Sequence, residues 1–322
     1  MDFELGADQV ALQDAIRKQL AGRYPMALVR SLEATGGVDR DRWRELGDAG
    51  VFALRLAEAD GGVGLGNADA VLVFEELGRA LVPGPLVASH LAAGLVDGAA
   101  GGAQIVGLLE RPDDRHPLLV EHLAALDVLI VADPAGLVAL APSALSAEPV
   151  PTPLDPLTPL HRVGSLPRGT PLAGPEVAAR WRREGAVLVA ALELGIAEAV
   201  TDAAVAYAKE RVQFDKPIGA FQAVKHLLAD MLVRTEMARA AVYAAGVTLD
   251  DPEVGDVDRA AAVAKILAGE AALANGKACI QVHGGMGFTW EVDAHLFLKR
   301  AWVLDSNFGP IDRHAETLAV AL

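Results

Sequence analysis

The sequence predicts a mostly α protein: an N-terminal helical domain over residues 1–99, a small central β-domain over 100–173 and a C-terminal four-helix bundle over 174–322. Three observations predict it. Apolar residues make up 52% of the 322 but aromatic residues only 5%, so the apolar volume is supplied mainly by Ala, Leu and Val. Ala and Leu are strong helix formers, and Ala is a poor strand former. Between residues 100 and 172 prolines cluster and apolar runs are short, whereas from Pro175 onward apolar residues recur at three- and four-residue steps over long stretches.

Taken in order, Val10, Ile16 and Leu20 fall near helical spacing, and Trp43, Leu46 and Val51 open a second apolar face. A glycine-rich loop follows, Asp60-Gly-Gly-Val-Gly-Leu-Gly66. As a phosphate cradle it would offer backbone N–H groups to an anion; as a connector it only joins helices. No strand precedes it and no Lys-Ser/Thr follows, which favours the connector. From Ala68, Val71, Phe74, Leu77 and Leu81 mark a helix that Pro83 and Pro85 stop. In 100–172, prolines such as Pro112, Pro117, Pro134 and Pro142 separate runs such as 128–131 and 136–140, too brief for helices; five to seven short strands are expected. Beyond Pro175 the chain reads as helical to its end, in four or five long helices. One carries Phe221, Val224, Leu228, Met231, Ala238 and Val242 on a stripe, with Lys225, Asp230 and Arg234 off it; others cover about 257–282 and 292–304.

Net charge is −15, which argues against nucleic acid or an anionic membrane as partner. It also opposes long-range attraction of anionic ligands, so local groups must hold any that bind. Cys279 is the only cysteine, so no intrachain disulfide is possible and a reducing, cytoplasmic setting is expected. The acidic start lacks the layout of a signal peptide, and no run of about 20 apolar residues occurs. No metal site is expected.

Two stretches carry the chemistry: Tyr207-Ala-Lys-Glu-Arg-Val-Gln-Phe-Asp-Lys-Pro-Ile-Gly-Ala-Phe-Gln222 and Gln281-Val-His-Gly-Gly-Met-Gly-Phe288. Together they resemble the two flavin-contacting segments of the acyl-CoA dehydrogenases. Trp43-Arg-Glu-Leu-Gly47 and Phe74-Glu-Glu-Leu-Gly-Arg-Ala80 add weaker agreement, and the element order extends the resemblance over nearly the whole chain. The resemblance implies FAD as cofactor, lying across a subunit interface with its reactive ring in the neighbouring subunit. It places Arg211 at the pyrophosphate, Phe214 as an apolar wall and Gln222 at the adenosine-diphosphate portion. Gln281, Gly284 and Gly285 would let the backbone approach the cofactor closely. The fixed charge and planar fork of arginine suit two phosphate oxygens, and glycine removes an obstructing β-carbon. His283 reads as a space-filling or capping residue, and His226 and His295 as surface or packing residues.

The family's base is missing. Counting from Gly285 places that glutamate at Phe308, or at Gly309 with one inserted residue, and neither can take a proton. An alternative position in the family falls on Gly185, beside Glu184; adjacent helical side chains stand about 100° apart, so Glu184 substitutes only if the register slips by one. Asp305 and Asp312 are further candidates about a helical turn away. The β-domain is short and lacks counterparts of the segments that lie along the flavin ring. Both absences resemble the shortened subunits of actinobacterial heteromeric α2β2 acyl-CoA dehydrogenases, which share two cofactors among four chains. The expectation is a non-catalytic subunit that completes the FAD site of a full-length partner acting on an acyl-CoA. An active homo-oligomer with a relocated base, or a cofactor-free scaffold of the same fold, stand as alternatives.

Overall fold

The computed structural model describes residues 5–111 and 118–320, so the first four residues, Pro112 and Pro117 lie outside the described residues. The architecture is mostly helical, with helices at both ends of the chain and short strands between them. The chain divides into two compact units: residues 1–26, 67–82 and 186–322 in the first, 27–66 and 83–185 in the second.

Among the described residues of the second unit, α2 (Met26–Ser31), α3 (Arg40–Asp48) and α5 (Leu86–Ala92) accompany seven strands. Asp39 starts α3 by accepting the Asp41 and Arg42 amides, satisfying donors a helix N-terminus leaves bare. Strands β1 (Val106–Glu110), β3 (Val128–Asp133), β4 (Gly136–Leu140) and β7 (Thr170–Ala173) form one sheet in that order; β1 and β3 are parallel and the other pairs antiparallel. β2 (Leu118–Glu121), β6 (Leu160–Val163) and β5 (Ala147–Pro149) form a second, antiparallel sheet. The interior position of β3 explains its unbroken apolar run: Leu129 to Ala132 are all buried. Trp43 stacks on Phe52 with ring centroids 4.7 Å apart, which anchors α3.

The first unit packs α1 (Ala7–Arg23), α4 (Asn67–Arg79), α7 (Gln222–Asp250), α8 (Val257–His283), α9 (Ala294–Ser306) and α10 (Ile311–Val320). Residues 186–210 of α6 (Pro175–Glu210) belong to it, and 175–185 to the second unit. Helix α4 is buried on every side from Ala70 to Gly78, including two carboxylates. Glu75 accepts the Tyr243 hydroxyl at 2.7 Å, the Gln13 amide at 3.1 Å and the Arg239 guanidinium. Glu76 takes Arg17 at 2.6 and 2.9 Å. Glycine lets α4 and α6 touch backbone to backbone: a β-carbon at Gly78 would strike the Leu192 carbonyl, and one at Gly195 the Glu75 carbonyl.

Deeper still, Lys265 of α8 and Glu193 of α6 are fully buried and 2.9 Å apart. Lys265 also donates to the carbonyls of Leu304 and Asp305, at 3.2 and 3.3 Å, closing the end of α9. Burial raises the Glu193 carboxyl to about 7, against the pull of Lys265.

Two departures from the sequence reading stand out. The stretch after Pro175 is interrupted by a hairpin, β8 (Val212–Gln213) with β9 (Lys216–Pro217), too short to carry a periodic signal. Val10 is about half exposed, because spacing reports an apolar face and not what covers it.

Candidate functional site

Helix α6 ends at Glu210 and the chain turns back within six residues, the Ile218 amide bonding to the Arg211 carbonyl at 2.8 Å. The two-residue loop is Phe214 (φ 53°) and Asp215 (φ 63°), both left-handed. Such a turn matches the twist of a hairpin but usually holds Asn, Asp or Gly. A phenylalanine there is strained, and its side chain is 87% exposed. Phe214 meets Phe221 edge-on at 6.1 Å, and Lys216 Nζ lies 4.4 Å from the Phe221 ring centre. Arg211 is exposed and has no carboxylate partner among the described residues, and Gln222 stands exposed at the first turn of α7.

The second motif closes α8. Gly284 (φ 61°, ψ −139°) adopts a conformation reserved for glycine. A β-carbon at Gly287 would strike the Ile280 carbonyl, so packing requires that glycine, which the sequence reading left unassigned. Gly285 differs: neither a left-handed φ nor any atom within 4 Å of a built β-carbon demands glycine there. Gln281 is exposed beside it. His283 is buried, donates from Nδ1 to the Cys279 carbonyl at 2.8 Å and stacks on Tyr207 at 4.2 Å. That stack joins the motifs, since Tyr207 precedes Arg211 by one helical turn. Both residues stand in the two motifs, but motif spacing does not encode their contact. The Cys279 thiol is pushed up to about 12 by burial, so it is inert at neutral pH.

Between α9 and α10, residues 307–310 hold no carboxylate. Phe308 (φ 55°) and Gly309 (φ 96°) are both left-handed, and the Phe308 carbonyl accepts from His314 Nε2 at 2.9 Å. Asp305 accepts the Ile311 amide at 3.2 Å, and Asp312 is exposed in the first turn of α10. In the other unit, Glu184 is buried, lies 2.8 Å from Arg55 and borders a cavity of about 250 Å³. The glycine-rich loop is a connector. The amides of Gly61, Gly62, Gly64 and Leu65 are spent on the carbonyls of Glu58, Ala57, Leu56 and Leu54, which leaves none of these four for an anion.

Two family models match the chain. Residues 6–103 match the acyl-CoA dehydrogenase N-terminal domain and residues 174–322 the acyl-CoA dehydrogenase C-terminal domain. The acyl-CoA dehydrogenase IpdE2 of Mycobacterium tuberculosis is 37% identical over 300 residues, covering 90% of this chain and 89% of its own. The chain belongs to the acyl-CoA dehydrogenase family. Acyl-CoA dehydrogenase FadE34 of the same organism is 36% identical over 88% of this chain, but the match spans only 43% of its own length. Among solved structures, the Tcur3481–Tcur3483 steroid ACAD superposes with a TM-score of 0.83 at 25% identity, covering 98% of both chains. Among the described residues, no group of three or more His, Cys, Asp or Glu side chains could hold a metal ion, and no helix is long and apolar enough to cross a membrane.

Proposed function

We propose that this dehydrogenase-family chain is a non-catalytic subunit, organised as 1–99, 100–173 and 174–322, that completes an FAD site whose reactive ring is lodged in a full-length partner chain. The observation that carries the reading is a contrast within one unit. Arg211, Phe214, Gln222 and Gln281 are exposed and Arg211 has no partner among the described residues, while 307–310 offers nothing that takes a proton. The residues fit the cofactor. Arg211 has its donor fork free for phosphate oxygens, and Gly285 leaves open the space that a bound group's phosphates would need. Phe214 holds an apolar ring outward at a backbone cost, and its edge contact with Phe221 still leaves it 87% exposed.

When bound, FAD supplies the hydride acceptor for α,β-desaturation of an acyl-CoA thioester. The chain's own residues would bind and orient it: Arg211 would hold the pyrophosphate, Gln222 the adenosine-diphosphate portion, and the Gln281–Gly285 backbone would lie against it. Proton removal belongs to the partner. Two similarities support a partner of the same family: the likeness to a chain of the Tcur3481–Tcur3483 steroid ACAD, and the extra length of FadE34 beyond the part this chain matches. The first also favours steroid-derived acyl groups; an α2β2 assembly in a cytoplasmic setting is part of the same proposal. Co-expression with a full-length homologue should give a yellow complex with two FAD per four chains, and the lone chain should be colourless. Stoichiometric FAD in the lone chain overturns the reading.

A second reading takes Glu184 as a relocated base in an active homo-oligomer, favoured by its place on a cavity wall. Turnover of an acyl-CoA by the pure chain, lost in Glu184→Gln, establishes it.

A further inference from the structure

Both cofactor segments project from the packed bundle, and each takes its bearing from where it leaves it. Every residue from Lys209 to Pro217 is exposed, so core packing does not fix the hairpin that carries Arg211 and Phe214. The hairpin is fixed at its root. The Arg211 amide donates to the Tyr207 carbonyl at 2.8 Å, and a β-carbon at Gly219, on the returning side, would come within 3.0 Å of the Ala208 carbonyl. The other segment behaves alike. Gly284, Gly285 and Met286 are exposed, and nothing lies within 4 Å of a β-carbon built on either glycine. That loop is held where it meets buried residues, His283 before it and Gly287 after it.

The two roots touch. The His283 and Tyr207 rings lie 4.2 Å apart, centre to centre, with planes 25° from parallel. His283 is buried at the last position of α8, and Tyr207 is half-buried in the last turn of α6. The imidazole is also pinned within the stack, because its Nδ1 donates to the Cys279 carbonyl one turn back at 2.8 Å. A phenyl ring keeps the flat face and loses that bond; a leucine loses both. We propose that His283 is a positioning residue for the cofactor: its stack on Tyr207 fixes the separation of the Arg211 hairpin from the Gly284–Gly285 loop, so that both meet one dinucleotide. The inference rests on the cofactor reading above, and His283 acts through the two segments rather than by touching FAD. A ligand gripped at two places gains from both contacts only when their spacing is preset; otherwise binding must first order the hairpin, and that ordering subtracts from affinity.

The test is the FAD dissociation constant, read by flavin fluorescence, of the complex co-expressed with a full-length homologue. His283→Leu should weaken FAD at least about fivefold, the worth of an aromatic pair, and His283→Phe should recover part of that loss. In an Arg211→Ala background, where the hairpin has lost its charged contact, His283→Leu should cost no more than about twofold. A side chain that merely fills space would cost the same factor in both backgrounds. Equal factors therefore overturn the proposal, as does wild-type affinity in folded His283→Leu, or phenylalanine doing no better than leucine. Tyr207→Leu breaks the stack from its less buried side and carries the same predictions if His283→Leu does not fold. Unchanged FAD affinity in Arg211→Ala alone defeats the cofactor reading and this inference with it. Weakened FAD in Arg211→Ala with none in His283→Leu defeats the positioning role alone.

Discussion

Phe214 has a backbone angle its side chain resists and an exposure its chemistry resists, and the two together mark it more clearly than either alone. Asparagine accepts the same left-handed turn. Phe214→Asn is therefore expected to raise stability by up to about 1 kcal/mol while lowering the FAD content of the co-expressed complex; a stability loss on thermal unfolding would refute the strain. Arg211→Ala should weaken FAD retention about 10- to 100-fold, the worth of one charged pair, with little change in Tm because Arg211 is exposed and has no carboxylate partner among the described residues. His90 gives a pH signature. Its folded value of about 4 lies below the ordinary 6.5, so its contribution to stability is complete above 6.5 and is lost as pH falls through about 4. The loss approaches about 3 kcal/mol. Glu193 works in the opposite sense, losing stability as pH rises from 4.5 to about 7, so His90 must be read as the difference between wild type and His90→Gln in denaturant titrations at pH 4.5 and 7.5. At this scale the sequence displays Arg211, Gln222, Gln281 and the glycines directly, because motif spacing prints them. The strain at Phe214 and the stack of His283 on Tyr207 depend on backbone angles and on contacts across 76 positions of chain, which no local pattern encodes.

Among the elements, α4 and α8 follow the spacing of their apolar residues closely, since long helices repeat their signal many times. The 212–217 hairpin escapes because two-residue strands repeat nothing. The Glu193–Lys265 pair escapes for another reason: each residue alone resembles a surface charge on a helix, and only the packing of α6 against α8 shows both fully buried. Removing one partner strands the other in a dry core. Glu193→Gln is expected to cost about 3–5 kcal/mol at pH 8, and Glu193→Gln combined with Lys265→Met should recover most of it. Equal costs for the single and double variants in urea unfolding would show that the pair is not coupled.

For the whole molecule, the acidic balance and the half-exposed Leu232, Val233 and Met237 of α7 pull in opposite directions. Charge keeps identical copies apart, while the apolar face rewards association. The lone chain should self-associate more as salt rises and repulsion is screened, and less once a partner chain is co-expressed; sedimentation across ionic strength measures both. Salt-independent sedimentation of a lone monomer would count against that balance. The glycine contact of α4 with α6 also constrains how the polypeptide is made. Residues 70–78, buried on every side in the fold, leave the ribosome long before Leu192 and Gly195 exist to shelter them, at synthesis rates of about 5–20 residues per second. For several seconds of every translation cycle the nascent chain therefore carries that helix without the α6 backbone that shelters it in the fold.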